Sequence, residues 1–487
     1  MRSQIFRLAR HSMIYGIGGI ASRVIAIFLL PIYTGYLTTG DYGVVAVLIA
    51  AEAVAVIFLR AGVQSAFFRF YFDSPDPLRK RTVVRTAFWY TMTASTVGLV
   101  LGQVFAPQIA SGLAIDPGQV NLVRAACVLL WADMNYQQQT ALFRVEERSK
   151  SYVIASLSNV LITISSTIVL VVVLQKGALG LIVGNFTGTL CVYFALLLYR
   201  ARLLGFEFDR GLYKAMEHFG LPLIPSALAL WATRFIDRFF LNHYLGKDAV
   251  GVYSFGVTIA SALVLIVTAF QLAWPAFGYS ISDDREARHT YSYVLTYYLL
   301  VMTWAAVALS LLAPWIAQVL ARKPSYLPGS RFVPLLVFGS VALAGYSVVL
   351  IGIGRVRRTR SNWIITGTGA LVDVVLNIIL IPRIGSMGAA IGLAAAYTTM
   401  FLGMSWKAQR LFPVPYQWRR VVTLVGAGVG LVVVGKVLSV PLPLAITLVA
   451  VYPLVLLLLG FYLASERALV ARVARRLVRT QPAEPIG

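Results

Sequence analysis

The chain has 487 residues, of which 59% are hydrophobic and only 13% charged, with a mean hydropathy of +0.78. That balance excludes a water-soluble globule and makes the chain a polytopic membrane protein. The formal charge of +23 does not call for a nucleic-acid partner, because sidedness of the basic residues accounts for it.

A bilayer core takes roughly 20 apolar residues per helix, and segments of that length recur from end to end. They predict an all-α protein of about fourteen transmembrane helices. The spans lie near 12–36, 43–63, 86–108, 120–142, 152–174, 178–200, 220–243, 250–275, 291–318, 331–353, 362–382, 386–406, 418–437 and 442–464. Span 1 is longer than a signal-peptide core and no small-residue cleavage site closes it, so it reads as a retained anchor. With both termini cytoplasmic, 31 of the 42 Lys and Arg fall in segments on that side. Counting residues at span ends with the adjoining loop, seven (Lys176, Lys247, Arg322, Lys323, Arg331, Arg383, Lys436) fall in outer loops, and Arg23, Arg124, Arg234 and Arg238 lie within spans. This asymmetry fixes the predicted orientation, and it places LRKRTVVR and RVRRTR against anionic headgroups.

Along the chain, intramembrane polar residues are few and each asks for a reason. Span 1 carries Arg23 and span 2 Glu52. Span 4 carries Asp133, Tyr136, Gln137, Thr140 and Arg144 at helical spacing, a polar stripe suited to an inward-open mouth. Span 7 contains ATRFIDRFFL, which sets Arg234, Asp237 and Arg238 within five residues, and span 11 carries Asp373. Trp231, Arg234 and Arg238 share one helical face with Asp237 at its edge. One carboxylate neutralises one arginine, so the face keeps a positive charge. Glu52, Asp133 and Asp373 are either ion-coupling carboxylates or hydrogen-bonded interior acids. Cys127 and Cys191 read as packing residues. No metal site or cofactor is expected: the four histidines show no ligand spacing, and neither a P-loop nor a glycosidase carboxylate pair occurs.

The chain also repeats itself. A shift of 208 residues lays YLTTGDYGV (36–44) on YLGKDAVGV (244–252), and the same shift brings Gly177, Gly180 and Gly184 onto Gly385, Gly388 and Gly392. Six spans per repeat, an even number, make the repeats parallel, with an axis along the membrane normal. The expected organisation is an N-lobe at 1–210 (spans 1–6), a C-lobe at 211–410 (spans 7–12), and spans 13–14 with a basic tail at 411–487, the two lobes enclosing a central cavity. The repeated glycines read as close helix-packing positions.

PIYTGYLTTGDYGVVAV, GLPLIPSALALWATRFIDRFFL with the following VGVYSFG, LAWPAF, and NIILIPRIGSMGAAIG together resemble the polysaccharide flippases of the multidrug, oligosaccharidyl-lipid and polysaccharide exporter superfamily. The resemblance runs in order over spans 1 to 12. It implies a two-lobed, non-enzymatic transporter of a bacterial inner membrane. Such a protein moves an undecaprenyl-diphosphate-linked oligosaccharide, for polysaccharide or lipopolysaccharide, to the outer leaflet by alternating access. Membrane lipids and a glycan polymerase or export machinery are its implied partners.

In that setting Arg23, Arg234 and Arg238 would present guanidinium forks to diphosphate oxygens, with Trp231 supporting a sugar or prenyl group; the competing expectation is an internal salt-bridge network with Asp237. A drug or cation antiporter of the same superfamily would rely on cavity acids. A glycan polymerase or ligase would typically carry a large outer loop, and the longest here is about a dozen residues. Ser22 and Arg23 resemble the start of a lipid II flippase motif, but its following Arg-Asp pair is replaced by Phe28 and Leu29.

Overall fold

The computed structural model describes residues 29–356 and 361–463. No strand occurs among them, as expected where lipid leaves backbone groups to be satisfied within their own segment. After a helical stretch at 29–36, the helices are α1 (Thr39–Arg60), α2 (Val63–Phe72), α3 (Pro77–Val104), α4 (Ala106–Gly112), α5 (Val120–Val145), α6 (Ser149–Ile168), α7 (Gly177–Leu204) and α8 (Arg210–Gly220). They continue as α9 (Ile224–Leu245), α10 (Lys247–Ser280), α11 (Asp284–Leu320), α12 (Val333–Arg355), α13 (Ser361–Ile384), α14 (Ser386–Leu411), α15 (Trp418–Val437) and α16 (Leu442–Leu458). Ten of the described helical runs are long and apolar enough to cross a membrane, which makes this a multi-pass membrane protein. Helices α3, of 28 residues, and α5, of 26, are as long but more polar, and α16 has 17 residues.

Predicted spans 2 to 14 coincide with α1, α3, α5 to α7 and α9 to α16. Most of span 1, with Arg23, and the tail beyond residue 463 lie outside the described residues. Local chemistry sets the helix starts. Thr38 and Asp41 form a reciprocal capping box at α1, and Asp76 caps α3 ahead of Pro77. Asp283 accepts from the Glu286 amide at α11. Helix α1 stops at Ala61 and Gly62, both at positive φ (44° and 73°), and a Cβ on Gly62 would overlap the backbone of Gly220 at the end of α8. Only glycine meets both demands there.

Helix α8 was not predicted. It buries Leu212, Met216 and Gly220, four residues apart, and exposes Lys214, Ala215 and His218, and its 11 residues pack on α2 and α3 ahead of α9.

The 208-residue interval recurs in the packing. Helices α1 and α10 begin at Thr39 and Lys247, which are 208 apart, and they pack along each other. A Cβ on Gly43 would overlap the Lys247 carbonyl, and one on Gly251 would overlap the Thr39 carbonyl. Those two contacts exchange under the shift, as in a two-fold-related pair. Gly177 and Gly385, also 208 apart, open α7 and α14 at φ 56° and 66°.

Candidate functional site

Helix α9 begins after the Leu221–Leu223 turn and runs against α1, α10, α13 and α14. Its polar cluster sorts into two environments. Asp237 and Arg238 are buried, at 3% and 9% exposure. The Arg238 Nη1 donates to the Asp237 carboxylate at 2.7 Å and to the Arg234 carbonyl at 2.6 Å. The guanidinium also lies 5.2 Å from the Phe235 ring. Arg234 is exposed and pairs with no acid among the described residues. The expected excess positive charge therefore sits on Arg234, and Arg238 is the partner that neutralises Asp237.

Trp231 does not stand free as an aromatic platform. Its indole donates to the Ala50 carbonyl of α1 at 2.9 Å and its ring lies 5.8 Å from Phe239, so it ties α9 to α1. Behind α9, Asp373 is 1% exposed, accepts from Asn377 at 3.0 Å, and lies within electrostatic range of Asp237 and Arg238. Gly392 of α14 leaves room for it, since a Cβ there would approach the Asp373 carboxylate at 2.8 Å.

Glu52 and Asp133 occupy a second place, an open cavity of about 500 Å³ bordered by α1, α5, α6 and α7. Gln137 lines it as well and donates to Asp133 at 2.6 Å. Arg60 approaches Asp133 at 3.8 Å and donates to Gln64 at 2.6 Å. Glu52 has no hydrogen-bond or ion-pair partner among the described residues. The opposite wall carries Asn159, Thr163, Asn185 and Thr189, with Asn159 donating to Thr189 at 3.2 Å. The predicted α5 stripe divides here. Asp133 and Gln137 reach the cavity, Tyr136 packs beside Phe143, Ala155 and Val192, and Arg144 stacks on Phe68 at 5.0 Å.

The two arms of the chain meet at one end of the bundle. The Thr34 hydroxyl donates to the Leu320 carbonyl at 2.7 Å, Lys323 Nζ to the Leu37 carbonyl at 2.8 Å, and the Tyr326 hydroxyl to the Thr38 carbonyl at 2.7 Å. Asn242 donates to the Leu113 carbonyl at 2.6 Å. Thr39 bonds Asp248, and Lys247 pairs with Asp116. Ala50, where Trp231 attaches, is 11 residues along α1 from this end, about 16 Å at the helical rise. These joints therefore reach from the bundle end to mid-depth.

Sequence reasoning did not single out Arg60, at the end of span 2, or the joint residues Asp116, Lys247 and Asp248. It also passed over a readable signal: Asn159 with Thr163 and Asn185 with Thr189 repeat an Asn and a Thr four apart in otherwise apolar helices, which puts each pair on one face.

The helical bundle, with α1 and α10 meeting along paired glycines, has the fold of solved flippase and drug-transporter structures. The structure of the lipid II flippase MurJ in an inward closed conformation matches over 94% of this chain and 100% of that one. Its TM-score is 0.75 and its sequence identity 14%. An inward-facing multidrug MATE transporter of the MOP superfamily matches over 80% and 98%, with a TM-score of 0.62 and 14% identity. An uncharacterized membrane protein of Methanocaldococcus jannaschii is 26% identical over 214 residues, 42% of this chain and 41% of that protein. The chain thus spans about two fifths of that relative's length. Residues 34–324, more than half of the chain, match the family described as polysaccharide biosynthesis protein, and the chain belongs to that family.

Proposed function

We propose that this protein is a flippase that carries a polyprenyl-diphosphate-linked oligosaccharide from the cytoplasmic to the outer leaflet of a bacterial inner membrane by alternating access. Both termini are cytoplasmic, the N-lobe is 1–210 and the C-lobe 211–410, with 411–487 packed outside the repeat. One observation carries the reading: Arg234 is an exposed guanidinium with no paired acid near mid-depth of α9, where an uncompensated cation is costly without an anionic ligand. Guanidinium suits a diphosphate because its fork pairs bidentately. Arg238 and Asp237 hold the backbone and charge of the site, and Arg23, outside the described residues, is proposed to face it from span 1.

The joined end, with Lys247, Asp116 and Tyr326, is the outer end on the positive-inside reading. Its hydrogen bonds support a state closed outward, and opening them while the other end closes completes the transport cycle. Membership in a polysaccharide biosynthesis family favours a glycan-bearing lipid as cargo. A second reading, a cation- or proton-coupled drug antiporter, draws on Glu52 facing the Asp133 cavity and on the MATE fold.

Transport by Arg234→Lys and Arg234→Ala variants separates the two. A diphosphate clamp loses most flipping in both at normal abundance, because Lys acts as a point charge. Full transport by both variants would remove Arg234 from the substrate site.

A further inference from the structure

Apart from the α1–α10 contact, a recess of about 620 Å³ opens beside α3 and α8, lined by Trp89, Tyr90, Thr93, Phe208, Arg210, Tyr213 and Lys214. Its walls are fixed by contacts that do not involve a ligand. The Trp89 indole donates to the Gly205 carbonyl at 2.8 Å and its ring stacks on Phe206 at 5.2 Å. Tyr90 stacks on Tyr213 at 5.0 Å, and Phe208 lies 5.7 Å from the same ring.

Charge at the recess leans positive: one acid of α8, Glu217, accepts from the Tyr213 hydroxyl, against two cations, Arg210 and Lys214. The acids of the adjoining loop are engaged elsewhere, Glu207 with Arg85 at 2.5 Å and Asp209 with Arg79 at 3.4 Å. The Arg85 hydrogen bond holds the Glu207 carboxyl below its ordinary range, so both it and Asp209 stay ionised and committed. Arg210 and Lys214 are exposed and pair with no acid among the described residues.

An apolar track leads away from the recess. On α3, Val97, Val100, Leu101 and Val104 are each at least half exposed, on the same helical side as Thr93, which lines the recess. From Thr93 to Val104 is 11 residues, about 16 Å at the helical rise, comparable with one leaflet of a hydrocarbon core of about 30 Å. Aromatic rings at the level where a chain meets a charged head are the usual furniture of a membrane interface.

We infer that this recess is a binding site for an anionic phospholipid of the leaflet at the basic end of the bundle, its phosphate on Arg210 and Lys214 and an acyl chain along Val97 to Val104. The recess lies between α3 and α8, and α3 shares no extensive packing with α9 or α10. That position fits a resident lipid and not a cargo that must pass between the halves, so the inference stands whatever is transported. Its occupant would hold α8 against the bundle. The Gly220 end of α8 packs on the Ala61–Gly62 break, so the lipid would steady the connection between α7 and α9.

Native mass spectrometry of the full-length protein tests this by titration with phosphatidylglycerol and phosphatidylcholine of identical chains. Wild type should retain phosphatidylglycerol preferentially, and the double variant Arg210→Gln/Lys214→Gln should bind it about thirtyfold more weakly, from roughly 1 kcal/mol per lost cation. Phosphatidylcholine retention should not change. Lys150→Gln, exposed and outside the recess, should behave as wild type, and Val100→Asp should weaken retention although the cations remain. Equal retention of the two lipids, or an undiminished preference in the double variant, would overturn the assignment. So would displacement of phosphatidylglycerol by inorganic phosphate, which would leave a headgroup site without a chain. A polyprenyl phosphate that displaced phosphatidylglycerol at equal concentration would mark the recess as a substrate-loading site instead.

Discussion

Adding one methyl group at Gly43 or Gly251 should open the joined end of the bundle. A Cβ at either position overlaps a carbonyl oxygen of the partner helix, Lys247 or Thr39, and a helix backbone cannot yield there by rotating a side chain. Helices α1 and α10 must separate until the contact reaches an ordinary van der Waals distance. The Thr34, Lys323 and Tyr326 hydrogen bonds, at 2.7, 2.8 and 2.7 Å, cross the same joint and would lengthen with it. At about 1 kcal/mol net for each, their loss disfavours the closed joint by about 3 kcal/mol, a shift of roughly a hundredfold in the closed-to-open ratio. The exposed Lys247–Asp116 pair adds little. Gly→Ala inside a helix is itself favourable by roughly 0.5–1 kcal/mol, so the variants should insert and accumulate normally.

Spin labels at Tyr36 and Tyr244, both exposed at this end, report the separation by double electron–electron resonance in a background with Cys127 and Cys191 replaced by Ser. The short-distance population should dominate in the glycine protein and become minor in Gly43→Ala and Gly251→Ala. An unchanged distance distribution in well-expressed alanine variants would refute the idea that these glycines set the joint.

Other outcomes follow from the same geometry. Removing Arg238 leaves Asp237 buried and unpaired, so Arg238→Ala should cost about 3–5 kcal/mol and lower thermal stability and abundance, whereas Arg234→Ala should unfold at the wild-type temperature; equal melting of the two would contradict the division of roles. Transport driven by membrane potential needs no coupling ion, since two outward-moving negative charges gain about 2.3 kcal/mol each per 100 mV. Proteoliposome flipping should therefore respond to a potassium-diffusion potential and survive Glu52→Gln, and a strict dependence on a pH or sodium gradient lost in that variant would favour an acid-coupled antiporter. The 205–209 loop carries a pH signature. Because hydrogen bonds lower the Glu207 and Asp209 pKa values, their contribution is complete above the unfolded value and is lost only as pH falls through the lowered one. Trp89, bonded to Gly205, should report undocking of the loop by fluorescence only below the usual carboxylate range, and Arg85→Leu should move that transition to higher pH.

Helix positions were legible because lipid imposes both a length and a polarity on each crossing, and those constraints are written in single residues. The glycines at 43, 251, 177 and 385 were legible because each answers to close approach or positive φ, requirements that few other residues meet. The short helices were not legible. Helix α8 buries only Leu212, Met216 and Gly220 per face, a pattern that a polar loop can match by chance until the bundle end supplies a surface. At the candidate site, composition gave the excess positive charge but not its owner, since Asp237 is within reach of either arginine along the helix. Burial decided it, by closing over Arg238 and leaving Arg234 open. The Trp231 contact was not legible because an indole on the arginine face is equally suited to a ligand or to a neighbouring carbonyl, and the neighbour, Ala50, comes from 181 residues earlier in the chain.

The proposed function is tested most directly by flipping of a defined substrate. A fluorescent polyprenyl-diphosphate oligosaccharide is reconstituted with the full-length protein in liposomes, and its exposure at each face is read by an impermeant quencher. The proposal predicts protein-dependent translocation, competition by the unlabelled lipid-linked glycan and not by cationic drugs, and loss of activity in Arg234→Ala at wild-type incorporation. Wild-type protein that leaves the glycan lipid in its original leaflet while it exchanges a drug for protons or sodium would contradict it.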